Sequence, residues 1–276
     1  MEDSTLQIKS TLETERFVIP YRIYKNKGPH IVCINGVQQS MAMWQSFIAR
    51  FSRRYRIVLF DFPNQGKAKI IFGPQQASFS EQVDILKAVL NKTDVNTDAT
   101  ICAASWGGVI AVDFAAKYPA RIKRLILASL GTKPNKKMVE TIKKGAAIDM
   151  KDRSSMSEVL LKSFGEDLPL PVRQKIISQF RTMKEEDLRA FYEHGLFVIS
   201  SKRLSEMVDL KKIKVETILL NGEKDTIIDL DDVKFLATQI PNCKMIIVKG
   251  VGHFLHLENE RVLDIYEDIL TSHPIK

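Results

Sequence analysis

Short apolar runs alternate with stretches of helical period along most of the chain. Leu6 to Leu12 and Arg16 to Tyr24 alternate loosely and predict a hairpin joined by the polar Glu13-Thr14-Glu15. His30-Ile31-Val32-Cys33-Ile34 has no polar face and leads into Asn35-Gly36-Val37, the pattern of a strand buried on both sides and then a loop. Met41 to Phe51 places Trp44, Phe47, Ile48 and Phe51 on one side of a helix. Tyr55 to Asp61 reads as a second buried strand ending in an acid, followed by the breaker-rich Phe62-Pro63-Asn64-Gln65-Gly66. Ser78 to Leu90 predicts a helix with Val83, Leu86, Val89 and Leu90 as its apolar stripe, and Ser78 and Glu81 have capping-box spacing. Thr100 to Ala104 is a third buried run, stopping at Ser105; Val109 to Ala116 reads as helix, ended by Tyr118-Pro119. Arg124 to Leu130, Glu216 to Gly222 and Lys244 to Val248 are the fourth, fifth and sixth runs, with helices expected over Asp229–Ile240 and Glu258–Leu270.

This order implies the α/β class, a mostly parallel sheet with helices on both faces. The rhythm breaks between Leu130 and Glu216. Lys136–Gly145, Ser154–Phe164, Pro171–Met183 and Glu185–Val198 have helical spacing with no strand between them. We expect a core formed by residues 1–132 and 215–276 and a helical cap formed by residues 133–214. The cap would enter at the carboxyl end of the fourth strand, the edge where parallel sheets bind ligands, so it is a candidate lid. Apolar positions within it, Met138, Ile142, Ile148, Met156, Leu160 and Phe164, would either line an acyl tunnel or pack the cap onto the core.

Composition narrows the class. With 276 residues and 45% hydrophobic content, the chain matches an ordinary globular protein. It lacks the continuous apolar run of about 18 residues that a membrane span needs. Its acidic start, Met1-Glu2-Asp3-Ser4-Thr5, does not resemble a signal peptide, so a cytoplasmic location is expected. Cys33, Cys102 and Cys243 are scattered beside apolar runs and suit small core residues better than a disulfide framework or metal cluster. The net charge is +8, and residues 133–214 carry 18 Lys/Arg against 12 Asp/Glu. Nucleic acid is one reading of this charge, but no arginine-rich tract, zinc-finger spacing or repeated aromatic platform accompanies it; an acidic small molecule or protein fits the same charge equally well, and no nucleic-acid partner is expected.

The candidate chemistry centres on Ala103-Ala104-Ser105-Trp106-Gly107-Gly108. A strand turning sharply into a helix at a serine exposes the hydroxyl, provided the residues two before and two after are small, and here they are Ala103 and Gly107. A serine nucleophile needs a base, and the base needs an orienting acid. Of the five histidines, His253 follows the sixth strand in the glycine-rich Lys249-Gly250-Val251-Gly252-His253, where a loop can reach the serine. His256 is expected to begin or pack against the next helix; His30 enters from the opposite sheet edge, His194 is in the cap, and His273 is terminal. Past the fifth strand, Asn221-Gly222-Glu223-Lys224-Asp225 offers Asp225 as the acid, with Glu223 as its surface alternative. The expected catalytic set is therefore Ser105, Asp225 and His253. Negative charge on an attacked carbonyl oxygen needs donors, and the backbone N–H groups of Trp106 and of Val37, after Asn35-Gly36, are in place to supply them. The mechanism calls for no cofactor and no metal.

These motifs in this order resemble the α/β-hydrolase superfamily over essentially the whole chain. Two positions depart from its common pattern: Asn35-Gly36 stands for His-Gly, and Ala103 for the first elbow glycine. Asn35-Gly36, Leu59-Phe60-Asp61, the serine elbow, Asn221-Gly222 and Gly252-His253-Phe254-Leu255-His256-Leu257-Glu258 more narrowly resemble two groups of bacterial enzymes. One makes 3-(3-hydroxyalkanoyloxy)alkanoates from hydroxyacyl-carrier thioesters; the other comprises 3-hydroxyacyl carrier-protein to coenzyme A transacylases. The resemblance implies a hydrophobic acyl ester or thioester substrate, with acyl carrier protein or coenzyme A as partner. Three readings stand open: a serine esterase or thioesterase, an acyltransferase using hydroxyacyl carriers, and a non-catalytic binding protein on the same fold. The Ser105 elbow argues against epoxide hydrolases and dehalogenases, which place an aspartate there.

Overall fold

The computed structural model describes residues 7–272. Met1 to Thr5, Leu6 at the head of the expected hairpin, and His273 lie outside them. β1 (Gln7–Glu13) and β2 (Phe17–Tyr24) form the hairpin, antiparallel, with Gln7 opposite Tyr24. Every second residue of β2, Phe17, Ile19, Tyr21 and Ile23, is buried. β3 (His30–Ile34), β4 (Arg56–Phe60), β6 (Ala99–Ala104), β7 (Ile122–Ala128), β8 (Glu216–Gly222) and β9 (Cys243–Val248) run parallel to one another, and β4 joins the hairpin by pairing antiparallel with β2. β5 (Lys69–Ile70) is a two-residue antiparallel strand on β2 that the apolar pattern did not predict; two residues are too few to set a period. The order across the sheet is β1-β2-β4-β3-β6-β7-β8-β9.

The strands divide the apolar interior in two, because successive side chains face opposite ways. In β3, Val32 and Ile34 join the cluster under α2 (Phe79–Lys92) and α3 (Trp106–Lys117). Ile31 and Cys33 join the cluster under α1 (Gln45–Phe51) and α10 (Val262–Thr271), with Phe47, Phe51 and Tyr266. α2 begins with the expected capping box: Ser78 Oγ accepts from Glu81 N, and the Glu81 carboxylate accepts from Ser78 N at 2.8 Å.

Two helices depart from expectation. The segment read as one helix over Met41–Phe51 is a 3-10 turn, Met41–Trp44, followed by α1. The turn is tethered at both ends, by Met41 N to Asp61 Oδ1 (2.7 Å) and by Trp44 Nε1 to Asn35 Oδ1 (3.0 Å). The last helix begins at Val262 and not at Glu258, because the Glu258 carboxylate folds back onto the preceding loop.

Between β7 and β8 lie α4 (Lys136–Ala146), α5 (Arg153–Phe164), α6 (Leu170–Thr182), α7 (Glu185–Ile199) and the short α8 (Leu204–Met207). Met156, Phe180, Leu188, Phe191 and Tyr192 give this layer an apolar core of its own, while Met138 and Ile142 of α4 join the main one. The two ends of the insertion meet, with Leu204 N donating to Thr132 O at 2.8 Å and Arg203 Nη1 to Thr132 Oγ1 at 2.9 Å. Asp232 of α9 (Leu230–Gln239) accepts from Thr132 N and Oγ1. Among the described residues, no helix is long and apolar enough to cross a membrane.

Candidate active site

Ser105 sits at the corner between β6 and α3 with φ 47° and ψ −119°, a conformation that costs a non-glycine residue about 1–3 kcal/mol. The corner is held by Ser105 N to Ala128 O and by Gly108 N to Ser105 O, both 2.8 Å. Its tightness explains the small neighbours. A Cβ on Gly107 would stand 2.4 Å from Asn35 O, and Ala103 is completely buried beneath the turn. Trp106 opens α3, so its N–H is one of the four without an intrahelical acceptor, at the positive end of the helix dipole. Its indole is anchored elsewhere, donating to Gln82 Oε1 at 2.8 Å.

His253 lies in the loop after β9, its side chain 9% exposed, and its Nδ1 is 2.8 Å from Asp225 Oδ2. Asp225, fully buried, accepts two further bonds at Oδ1, from Ile227 N (2.9 Å) and Ile228 N (3.0 Å). Glu223, the alternative acid, instead accepts from Gly250 N at 3.0 Å on the exposed rim. Burial works against a charged His253 ring, but the charge and hydrogen bond of Asp225, helped by Glu258, outweigh it and hold the pKa above the ordinary 6.5. Ser105 and His253 line one cavity; among the described residues no hydrogen bond joins them, a contact that commonly tightens only around substrate.

Several groups that position this set have no sequence motif of their own. Glu258 accepts from the N–H groups on both sides of His253, Gly252 N and Phe254 N, the latter at 2.8 Å. The Ser129 hydroxyl donates to His253 O at 2.6 Å. Beside the serine, Gln65 Nε2 donates to Gly36 O at 2.7 Å, and Gln39 Oε1 accepts from Gly36 N at 2.8 Å. In a trans peptide the C=O and N–H point oppositely, so Gln65 also fixes the direction of the Val37 N–H. Gly36 suits this crowded loop: a Cβ there would lie 2.7 Å from Gln39 Oε1. Beneath it, Asn35 Nδ2 bonds Phe60 O (3.1 Å) and Asp61 Oδ1 (3.0 Å). Burial pushes the Asp61 carboxyl up to about 6, against the pull of bonds from Met41 N, Lys67 N and Asn35.

The remaining histidines lie apart from this chemistry. His256 is buried, stacks on Trp44 and donates Nε2–H to Met43 O at 3.1 Å. His194 is buried in α7 with neither ring nitrogen partnered, and burial pushes its pKa down to about 4. His30 opens β3 at the opposite end of the strand from Asn35. Among the described residues, no group of three or more His, Cys, Asp or Glu side chains is placed to hold a metal ion.

The cavity over Ser105 is large, about 1190 Å³, and its walls differ. The insertion contributes apolar side chains, among them Met138, Leu160, Phe164, Leu168, Phe180 and Phe191. The sheet side contributes uncharged amides and hydroxyls, among them Gln38, Gln39, Ser40, Asn64 and Gln65. Of the six insertion residues weighed between tunnel and packing, Met138, Leu160 and Phe164 line the cavity. Ile142 packs into the main core, Met156 into the insertion's own, and Ile148 against the latter.

Known proteins share this framework. The chain is 20% identical over 243 residues to the (R)-3-hydroxydecanoyl-ACP:CoA transacylase of Pseudomonas aeruginosa, covering 88% of this chain and 80% of that one. It is 25% identical over 268 residues to human monoacylglycerol lipase ABHD6, covering 90% and 77%. Among solved structures, the α/β-hydrolase enzyme MGS-M2 from a Medee basin deep-sea metagenome superposes with a TM-score of 0.80 at 21% identity, over 97% of this chain and 99% of that one. The family model for the α/β-hydrolase fold matches residues 29–169, from the start of β3 through the serine corner to the threshold of α6, and the chain belongs to that family.

Proposed function

We propose that the protein is a serine hydrolase that cleaves an acyl ester or thioester through a covalent acyl-enzyme. The observation that carries this reading is the strained Ser105 facing the same cavity as a histidine whose other ring nitrogen is held by a buried carboxylate. His253 Nε2 takes the hydroxyl proton as Ser105 Oγ attacks the carbonyl carbon. The Val37 and Trp106 N–H groups receive the charge that develops on the oxygen. His253 then returns the proton to the leaving alcohol or thiol, and water, activated by the same ring, releases the acid. The apolar insertion wall suits the acyl chain, and the amide-lined wall suits a neutral polar group beside it. Delivery of the acyl group to a second hydroxyl or thiol is the alternative outcome of the same intermediate, favoured by the likeness to the transacylase.

The test is a series of acyl thioesters and nitrophenyl esters of increasing length, with and without its 3-hydroxyl group. We expect kcat/KM to rise about two- to fourfold per methylene as the chain fills the apolar wall. Mass spectrometry should find the trapped acyl group on the peptide containing Ser105. A profile flat in chain length would remove the acyl cavity, and label on another residue would remove the nucleophile. Free acid as sole product with excess acceptor thiol present would decide against transfer.

The histidine sets the pH dependence. Only neutral His253 accepts a proton, and its pKa lies above the ordinary value, so kcat/KM falls as pH drops through a midpoint above 6.5. Glu258→Gln removes one of the charges that favour imidazolium and should move that midpoint down. An acid limb centred below 6.5 in the unaltered protein would contradict the assignment of His253.

A further inference from the structure

We infer that the rim of the cavity is a docking surface for an anionic lipid layer. The three most exposed large apolar side chains among the described residues are Phe72 (73%), Leu170 (66%) and Ile71 (57%). All three adjoin residues that line the cavity: Ile70 precedes Ile71 and Phe72, while Pro169 and Pro171 flank Leu170. Exposed apolar side chains next to the walls of one cavity are candidates for an interaction site.

The loop carrying Ile71 and Phe72 is built to present them. Arg16 of the β1–β2 turn reaches across it, donating to Phe72 O (3.1 Å), Pro74 O and Gln76 O (3.1 Å), and its last contact is the Glu81 carboxylate. A guanidinium thus holds the backbone of Phe72 while its ring stands in water.

The charge of the rim selects the partner. Residues 62–80 contain Lys67 and Lys69 and no acid, and α6 contains Arg173, Lys175 and Arg181 and no acid. Among the described residues, none of these five cations takes part in an ion pair, whereas Lys162, Lys184 and Arg189 on neighbouring helices do. The acids of the cavity wall, Glu186, Asp187, Glu258 and Glu260, belong to α7 and to the segment after β9. Exposed apolar side chains carried on the same two segments as cations without ion pairs match a layer with negative headgroups over an apolar interior. An acidic protein would satisfy the cations and leave Phe72 and Leu170 without a counterpart. This inference concerns the rim alone, so its failure would leave the proposed reaction standing.

Co-sedimentation with vesicles tests it. The protein should pellet with phosphatidylcholine vesicles containing phosphatidylglycerol, much less with pure phosphatidylcholine, and less as salt rises. The double variants I71S/F72S and K67E/R181E should each lower the partition coefficient at least about tenfold. Both should melt cooperatively and cleave a short water-soluble ester at the original rate, which separates loss of docking from loss of fold. Retention in the supernatant with both vesicle types, or undiminished binding by I71S/F72S, overturns the inference. So does a concentration-dependent dimer dispersed by I71S/F72S, which would make a second copy the occupant.

Discussion

Replacing Ser105 by alanine should lower kcat/KM for any acyl ester by roughly 10⁴-fold or more, leaving the residual rate that binding and oxyanion donors supply. The loss arises because Ser105 stands at that corner, lining the same cavity as His253, and alanine removes its hydroxyl. Alanine carries the same Cβ as serine and bears the same backbone strain at φ 47°, so the melting temperature should stay within a few degrees. Ser105→Gly sharpens the test. It is equally inactive but relieves the strain, and should be more stable than Ser105→Ala by about 1 kcal/mol or more. A Ser105→Ala protein turning over within tenfold of the original would refute the nucleophile.

Asp225→Asn should be nearly as damaging, with kcat down about 10⁴-fold and KM little changed. The local hydrogen bonds dictate why. Oδ1 receives the Ile227 and Ile228 N–H groups, so the asparagine must keep its carbonyl oxygen there and turn its NH₂ toward His253. Nδ1 of His253 then has to accept a hydrogen bond in place of donating one. The ring's own proton moves to Nε2, the atom that must stay free to receive the serine proton. The fold should be preserved, since each bond keeps a donor and an acceptor. Steady-state kinetics beside thermal melting tests this; a tenfold loss or less would show that Asp225 does not set the tautomer.

Local signals carried much of this architecture. The capping box of Ser78 and Glu81 requires only residues three apart, and the buried strands announce themselves as apolar runs. The corner at Ser105 is similarly legible, because a strand, a small-residue turn and a helix follow within a few positions. The order of loops along a parallel sheet points to the segment after the fifth strand without separating Glu223 from Asp225, and it is Asp225 Oδ2 that lies 2.8 Å from His253 Nδ1. What could not be read depends on partners far along the chain. Gln65 meets Gly36 across 29 residues and Ser129 meets His253 across 124, and nothing near either residue marks the meeting. Glu258 shows how a local reading fails. Its helix-start position looked ordinary, but two unpaired N–H groups beside His253 drew its carboxylate backward. The insertion's apolar residues were ambiguous for a related reason: helical period identifies a buried face without saying whether cavity or core buries it.

The closure of the inserted helices upon themselves at Thr132 and Leu204 has an evolutionary consequence. Thr132, just past β7, and Leu204, at the start of α8, are hydrogen-bonded, so the helical layer leaves and rejoins the core at one place before the chain crosses back to the start of β8, which runs parallel to β7. A segment with neighbouring ends and its own apolar core can be lengthened, shortened or exchanged without shifting the strands beneath it. Ser105, Asp225 and His253 all stand outside that segment, whereas the apolar wall above them belongs to it. On the proposed reading, the reacting groups and the wall that would select the acyl chain lie on separate parts of one chain, so the second can change while the first is kept.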